Sequence, residues 1–448
     1  MKHVERLTNL VESPERFEIP WAELEQLQVA AANERFQACK ESIGLVGHRA
    51  SQAGVTEVRS RADIVPLLFA HTTYKSYPES WLLDGKWDRM CRWLETVSAH
   101  PVRGVDVSDV RDIDDWIARL EQAGHFVSCS SGTTGKSAML NASSVDMAWT
   151  TRDTVAAFAW GSGVEPRQDR RMFGLSPVAS VPKNLAVQRA LAAAYGRPDV
   201  APFRYPVPPI TIGSITSMVA LRKAIADGTA KPGDISAYET MSAERAKAVE
   251  NAVGVTAQAL IEARADKFFM SGMWATLYKV AEAVRAAGYG RDDFHPDNTI
   301  YVGGGLKGAV LPPDYREYVF ETFNLSPERV LQMYGMPEIN SALPRCRAGR
   351  YHAPPWLICL PLDEPGETLV AASEGDEVEG RAAFFDLALD GRWGGVISGD
   401  KVQVRFGRCD CGRQGPTIRD NITRYSELAG GDKISCSGTI DAYVRGVA

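Results

Sequence analysis

A layered α/β fold with a small antiparallel β subdomain at its C-terminal end is predicted by three features of the sequence. Strand-like and helix-like segments alternate from Gly124 onward. Two glycine-rich loops each follow a strand-like run, and short turn-separated strands take over beyond Pro361. Strands separated by helices of about ten residues or more imply a largely parallel sheet. Ligands of such sheets usually lie at the carboxyl ends of the strands, where both loops fall.

Residues 1–115 are expected to be helical. WAELEQLQVAAANERFQACKESIG spaces its apolar residues helically and then meets a glycine stop. ADIVPLLF follows, and DIDDWIARLEQAG supplies a further amphipathic helix ending at Gly124. HTTYKSYPESWLLDGKWDRM is aromatic and irregular, and reads as a surface segment or part of a binding wall, with ordinary packing the plainer account. The α/β core is expected over 116–360. There HFVSCS is a β-rich run, and SVDMAWTTRDTVAAFAWG is a helix capped by Ser143 or Ser144. RRMFGLSP, ALRKAIADG, ISAYETM, ERAKAVENAV, KFFMSGMWATLYKVAEAVRAAG and NTIYVGGG continue the alternation. ETLVAA, RAAFFDLAL, WGGVISGD and KVQVRF build the β-rich part over 361–432, and 433–448 is a short terminal stub.

The chain has 448 residues, enough for roughly three domains. Hydrophobic residues make up 45% and charged residues 24%, a balance suited to packed globular cores. A net charge of -6 argues against a nucleic-acid partner. No apolar run reaches the ~18 residues that would span a bilayer, so no membrane partner is expected. The charged N-terminal stretch lacks the apolar core of a signal peptide, which makes the cytoplasm the expected compartment. Eight scattered cysteines are too sparse for a disulfide framework there, so clusters among them read as metal binding or catalysis.

The segment Ser130-Ser131-Gly132-Thr133-Thr134-Gly135-Lys136-Ser137 carries the most chemistry. Its two glycines let backbone N–H groups turn toward an anion, while hydroxyls and the Lys136 ammonium add donors. A polyphosphate needs this combination of many donors and little bulk. A P-loop would require glycine where Ser130 stands and a helix directly after the loop, whereas Ala138-Met139-Leu140 reads as a returning strand. A P-loop NTPase or nucleotide-binding regulatory protein stays an alternative, as does a plain Gly/Ser turn.

With its downstream companions this loop resembles the phosphate-binding signature of the adenylate-forming superfamily of acyl-CoA synthetases, luciferases and peptide-synthetase adenylation domains. Gly303-Gly304-Gly305 resembles the family's adenine-binding turn. Tyr334-Gly335-Met336-Pro337-Glu338 resembles its Y-G-x-[TS]-E motif, which implies a tyrosine near adenine and a Glu338 that holds Mg²⁺. Ser398-Gly399-Asp400 is similar to the T-G-D whose aspartate binds ribose, and Arg424 resembles the arginine before the hinge. CDCGRQGPTIRD points to phenylacetate-CoA ligase-type enzymes and the acyl-protein synthetases of LuxE type. Pro337 departs from the motif and removes one hydroxyl contact to the α-phosphate.

The resemblance implies ATP-dependent activation of a small carboxylic acid to acyl-AMP, with Lys136 and Glu338 as catalytic residues. It implies transfer to a thiol, CoA in the first instance. An acyl carrier protein, a protein cysteine or an amine remains an alternative acceptor. The family's mobile C-terminal lid with its lysine is expected to be absent, because the chain ends shortly after Lys433. Cys346, His352, Cys409 and Cys411 form a Cys₃His set suited to structural Zn²⁺, and the ligase-type sequences are similar at both halves. Unrelated thiols beside a surface histidine are the alternative. Cys359 is a substitute ligand, and Cys129 reads as a packed residue. Lys183 and Arg204 lie in candidate pocket walls that favour an aryl or short acid. A homodimer is compatible with the sequence.

Overall fold

Two long strands with buried inner halves, Glu377–Asp386 and Gly395–Arg405, form the antiparallel backbone of one unit. That unit comprises Met1–Asp153 together with Gly335–Ala448, while a second unit is the continuous stretch Thr154–Tyr334. The computed structural model describes residues 1–129, 136–177, 180–303, 306, 309–428 and 432.

In the first unit the sheet order is Leu357–Leu362, Glu377–Asp386, Gly395–Arg405, Thr417–Arg419 and Arg350–His352. Phe69–Ala70 adds a short parallel strand against Val396 and Ile397, and Thr423–Arg424 pairs antiparallel with Asp400 and Lys401. Arg381 faces Lys401 and Ala383 faces Ile397, so Ser398, Gly399 and Asp400 bulge opposite Ala382 alone. Such bulges re-aim side chains at the point where they occur.

Several expected boundaries move. WGGVISGD and KVQVRF are parts of one strand from Gly395 to Arg405, bent at the bulge rather than broken by a turn. ETLVAA is irregular apart from a bridge between Leu362 and Leu369. Residues 1–115 belong to the same unit as the C-terminal strands. Helix Trp21–Cys39 buries Trp21, Leu24, Ala31 and Phe36, and the Trp21 ring packs 4.7 Å from that of Phe406. Gln28 Nε2 donates to the Pro355 carbonyl at 2.9 Å. The packing divides at 153/154 and 334/335. The stub 433–448 lies outside the described residues.

The second unit is the parallel part. Strands Arg171–Gly174, Phe268–Gly272, Thr299–Gly303 and Val330–Tyr334 pair in parallel in that order. One face carries Phe268, Met270, Ile300 and Val302, covered by Leu260, Trp274, Leu277 and Phe323 from the helices. The other carries Phe269 and Leu331, covered by Phe158, Leu191 and Tyr195. Burial on both faces is what parallel sheets require. ISAYETM and ERAKAVENAV, read as separate pieces of the alternation, lie within one helix, Pro232–Glu262.

Strand polarity separates two chemistries in this unit. Before the strands, Asp169 and Asp297 pair with Lys267 and Arg329, and Asp266 pairs with Arg171 and Arg197. At the carboxyl ends stand Gly174, Gly272, Gly303 and Tyr334, which leaves that edge low in bulk.

In the first unit one ion cluster makes stability depend on acid. Glu377 accepts from Arg419 at 2.6 and 2.7 Å and from the buried Arg350 at 2.7 Å. Arg419 first, then Arg350, holds its carboxyl down at about 2. A folded-state value below the unfolded one stabilises the fold above the ordinary carboxylate range. That contribution is lost as pH falls toward 2. Glu377→Gln is expected to cost about 2 kcal/mol at neutral pH, since hydrogen bonds to charged groups contribute that much. It should also flatten the acid limb of the stability curve, read by denaturant melts between pH 2 and 7.

Candidate functional site

Phe126–Cys129 and Met139–Ala142 pair antiparallel, with Val127 opposite Asn141 and Cys129 opposite Met139. The donor-rich loop therefore joins a hairpin, and the residues after it form a strand, unlike a P-loop that opens a helix. Ser130, Ser131, Gly132, Thr133, Thr134 and Gly135 lie outside the described residues. At the loop's end, Lys136 Nζ donates to the Tyr77 carbonyl and sits 4.2 Å from the centre of the Tyr77 ring. Tyr77 is fully buried, and its hydroxyl donates to the Ser137 carbonyl at 2.7 Å. Cys129 is packed as expected, its Sγ 3.2 Å from Met139 Sδ and its thiol pushed up by burial.

Helix Ser144–Ser162 follows the hairpin, and its start is a reciprocal cap. The Ser143 hydroxyl accepts from the Asp146 amide at 3.2 Å, while the Asp146 carboxylate accepts from the Ser143 amide at 2.9 Å. The same fully buried carboxylate accepts the amides of Asp390 and Gly391, each at 2.7 Å. Gly391 cannot be larger, because a Cβ there would stand 2.7 Å from Asp146 Oδ2. The turn thus fixed delivers Arg392 into the interior.

Arg392 is 3% exposed. Its guanidinium donates to the Asn141 carbonyl at 2.7 Å and to the Pro337 and Glu338 carbonyls at 3.0 Å each. It joins the hairpin to the Y-G-M-P-E segment. Just beyond, the Asp386 carboxylate accepts the amides of Asn340 and Ser341 at 2.7 and 2.9 Å. Asn340 Nδ2 donates to the Asp146 carbonyl at 2.9 Å. Backbone on both sides of Glu338 is thereby fixed.

Glu338 itself is buried. Burial raises its carboxyl above the usual range, Arg392 and Lys75 oppose that rise, and Asp400 adds to it. A buried carboxylate flanked by cations and a second acid has the character of a ligand for a hard cation at a phosphate. Asp400 stands on the bulge, 3.6 Å from Arg424, and its amide donates to the Ser398 hydroxyl oxygen at 3.1 Å. The Ser398 hydroxyl in turn donates to the Ala382 carbonyl at 2.8 Å. Within this unit Lys136, Glu338, Asp400 and Arg424 are thus all placed on elements tied to the sheet and hairpin.

Gly303 is exposed at the end of its strand, opposite Met333, and Tyr334 ends the neighbouring strand. Gly304 and Gly305 lie outside the described residues. The second unit ends at Tyr334 and the first resumes at Gly335, so the chain passes from one to the other inside the Y-G-M-P-E segment. Lys183, half-buried, and Arg204, exposed, belong to the second unit.

Three cysteines and a histidine come together in the first unit. Ligand atoms of Cys346, His352, Cys409 and Cys411 all lie within 4.8 Å of one another. Cys346 Sγ is 4.0 Å from Cys409 Sγ, and Cys411 Sγ is 3.3 Å from His352 Nε2. Two tight turns present the thiols. The Gly349 amide returns to the Cys346 carbonyl at 2.9 Å, and the Gly412 amide to that of Cys409 at 2.8 Å. Both glycines have positive φ, +76° and +94°, a region that disfavours other residues. Pairing of Thr417 with His352 brings the turns together. Hydrogen bonding from Cys409 and Cys411 holds Cys346 well below the ordinary thiol range, while bonding to Cys346 pushes Cys411 up. Cys359 does not belong to the set: it is buried on the Leu357–Leu362 strand, its thiol pushed up to about 12 by burial.

Sequence reasoning missed Arg392, Asp386, Asp146 and Lys75. The signal for the first was D-G-R-W-G-G, where Gly394 is also obligatory because a Cβ would meet the Asp386 carbonyl oxygen at 2.1 Å.

No protein-family model matches the sequence, and no curated protein matches it. Among solved structures, an acyl-CoA synthetase (AMP-forming)/AMP-acid ligase II-like protein from Dyadobacter fermentans is similar. It is 12% identical over 70% of this chain and 67% of that one, with a TM-score of 0.33. A red-emitting luciferase from Phrixothrix hirtus is 14% identical over 62% of this chain, with a TM-score of 0.32. The match spans 42% of that luciferase's length.

Removing the Arg392 guanidinium leaves three carbonyls inside the protein without their donor, each costing about 1 kcal/mol or more. Arg392→Met is therefore expected to lower stability by about 3 kcal/mol or more in denaturant melts. Arg392→Lys keeps the charge without the planar fork and should fall between the two.

Proposed function

We propose that the chain is an ATP-dependent adenylate-forming enzyme that activates a small carboxylic acid, aryl or short, to its acyl-AMP. The observation that carries this reading is the buried Glu338 carboxylate, which feels the charges of Arg392, Lys75 and Asp400 and belongs to the same unit as the donor-rich loop. The ordered set of loop, Y-G-M-P-E, S-G-D and Arg424 supports it from the sequence. The hairpin setting of the loop disfavours a P-loop NTPase.

In the first half-reaction an oxygen of the substrate carboxylate attacks the α-phosphorus of ATP. The bond from that phosphorus to the bridging oxygen breaks, and pyrophosphate leaves with the electron pair. Mg²⁺, when bound, would supply charge neutralisation for the two meeting anions. The chain's own share is positioning. Glu338 holds the metal, Lys136 and the loop donors receive the β- and γ-phosphates, and Asp400 receives the ribose hydroxyls. Fixed donors of this kind act without reorganising at the moment of reaction. In the second half-reaction the acyl group passes to a thiol, CoA in this reading. A carrier-protein arm, a protein cysteine or an amine is the other acceptor class.

Glu338→Gln is expected to slow acid-dependent ATP–pyrophosphate exchange by orders of magnitude while leaving the melting temperature close to the parent's. Exchange at the parent rate would overturn the Mg²⁺ assignment. A panel of aryl, amino and fatty acids in the same assay identifies the substrate class.

We also propose that Cys346, His352, Cys409 and Cys411 hold one structural zinc ion. Three thiols and an imidazole in contact suit tetrahedral zinc, and four protein ligands leave no open position for catalysis. Freshly reduced protein is expected to carry about one zinc per chain by elemental analysis. Cys411→Ser should lose the metal and lower the melting temperature. Metal-free reduced protein would refute the assignment.

A further inference from the structure

The aromatic segment that reads from sequence as a wall is a hub of the first unit. Phe69 and Ala70 pair with Val396 and Ile397, which sets residues 71–75 beside the Ser398–Asp400 bulge. A Cβ added to Gly399 would stand 3.5 Å from His71 Cε1, so the His71 ring packs against the bulge there. Tyr74 is fully buried, and its hydroxyl is 3.4 Å from the Trp393 carbonyl, next to Arg392. Three residues on, the Tyr77 carbonyl accepts from Lys136 and the Tyr77 hydroxyl donates to the Ser137 carbonyl. One turn and its extension therefore touch the bulge, the Arg392 junction and the base of the loop.

Lys75 sits at the centre of this stretch, half-buried. From the reading above that the site adenylates an acid, we infer that Lys75 is a phosphate-binding cation of the nucleotide site, acting beside Glu338. The charges around it fit that role. Glu338 attracts it, Arg424 repels it, and burial holds its ammonium below the usual lysine range. An ammonium partly stripped of water gains more from a phosphate oxygen than an exposed one does. Its fixed base, Tyr74 on one side and Tyr77 on the other, spares the ordering that a lysine on a free loop would need. Lys136, from the end of the loop, rests on Tyr77, so it lies against the same short segment that carries Lys75.

The test uses the full chain, with MgATP and adenosine binding measured by calorimetry for the parent, Lys75→Met and Lys75→Arg. A charge-assisted contact to phosphate corresponds to about a tenfold or greater loss of MgATP affinity in Lys75→Met. Adenosine affinity and melting temperature should stay at parental values, and Lys75→Arg should recover most of the loss. Lys75→Met that binds MgATP as tightly as the parent, or more tightly, would overturn the inference and leave Lys75 a mere counter-ion of Glu338. A parallel loss of adenosine binding would overturn it in favour of a structural role. A parent that binds MgATP but exchanges pyrophosphate with no acid would sink the adenylation reading while leaving Lys75 as a phosphate contact. A parent that binds no nucleotide overturns both.

Discussion

A guanidinium taken out of water holds the first unit's chemistry in register. Arg392 serves three carbonyls, and those carbonyls belong to the hairpin behind the loop and to the segment that presents Glu338. Without the charge the two pieces would be packed but not aligned. With it, the direction of the Glu338 backbone is tied to the strand that leads into the phosphate loop. Two buried carboxylates, Asp146 and Asp386, secure the turn that carries Arg392 and the residues after Glu338. Each of these acids accepts backbone amides, which offset part of the cost of taking its charge out of water.

Much of the architecture was legible because it rests on local rules. The hairpin, the Ser143 cap and the parallel strands ending in glycine follow from periodicity and turn chemistry. The cysteine cluster was legible from ligand type, since three thiols and a histidine rarely fall at such turns without purpose. What the sequence did not disclose depends on pairing across long separations. The kink at Ser398–Asp400 exists only because Arg381 and Ala383 choose their partners four residues apart. Nothing local in Gly391-Arg392-Trp393 marks Arg392 as buried, and the turn that carries it inward is held by Asp146, far away in sequence. Composition likewise cannot reveal that residues 21–39 lie against residues 355–406.

The metal-type cluster and the N-terminus belong to one piece of mechanics. Phe17 meets the His352 ring edge-on at 5.1 Å, its carbonyl accepts the Gln414 amide at 2.7 Å, and Glu18 pairs with Arg413. The first turns of the chain are thus anchored on the knuckles that carry the thiols. A cross-link at those knuckles would limit the sheet edge and the N-terminal helices together. It bears on whether the bulge with Asp400 keeps its shape, because Thr417–Arg419 pairs both with Arg350–His352 and with the strand that bulges.

The split of the first unit into two stretches of sequence has a consequence for how the protein is made. During synthesis the emerging chain has Met1–Asp153 long before Gly335 appears, so the antiparallel sheet cannot close until most of the polypeptide has left the ribosome. Thr154–Tyr334, being continuous, holds the four parallel strands of its sheet and most of the helices that cover them, and is able to fold first. The apolar faces of Trp21, Leu24 and Phe36 wait meanwhile for partners that are still being translated. The nascent protein thus spends its longest vulnerable interval with its N-terminal helices uncovered, and chaperone demand and aggregation should concentrate there rather than in the parallel unit.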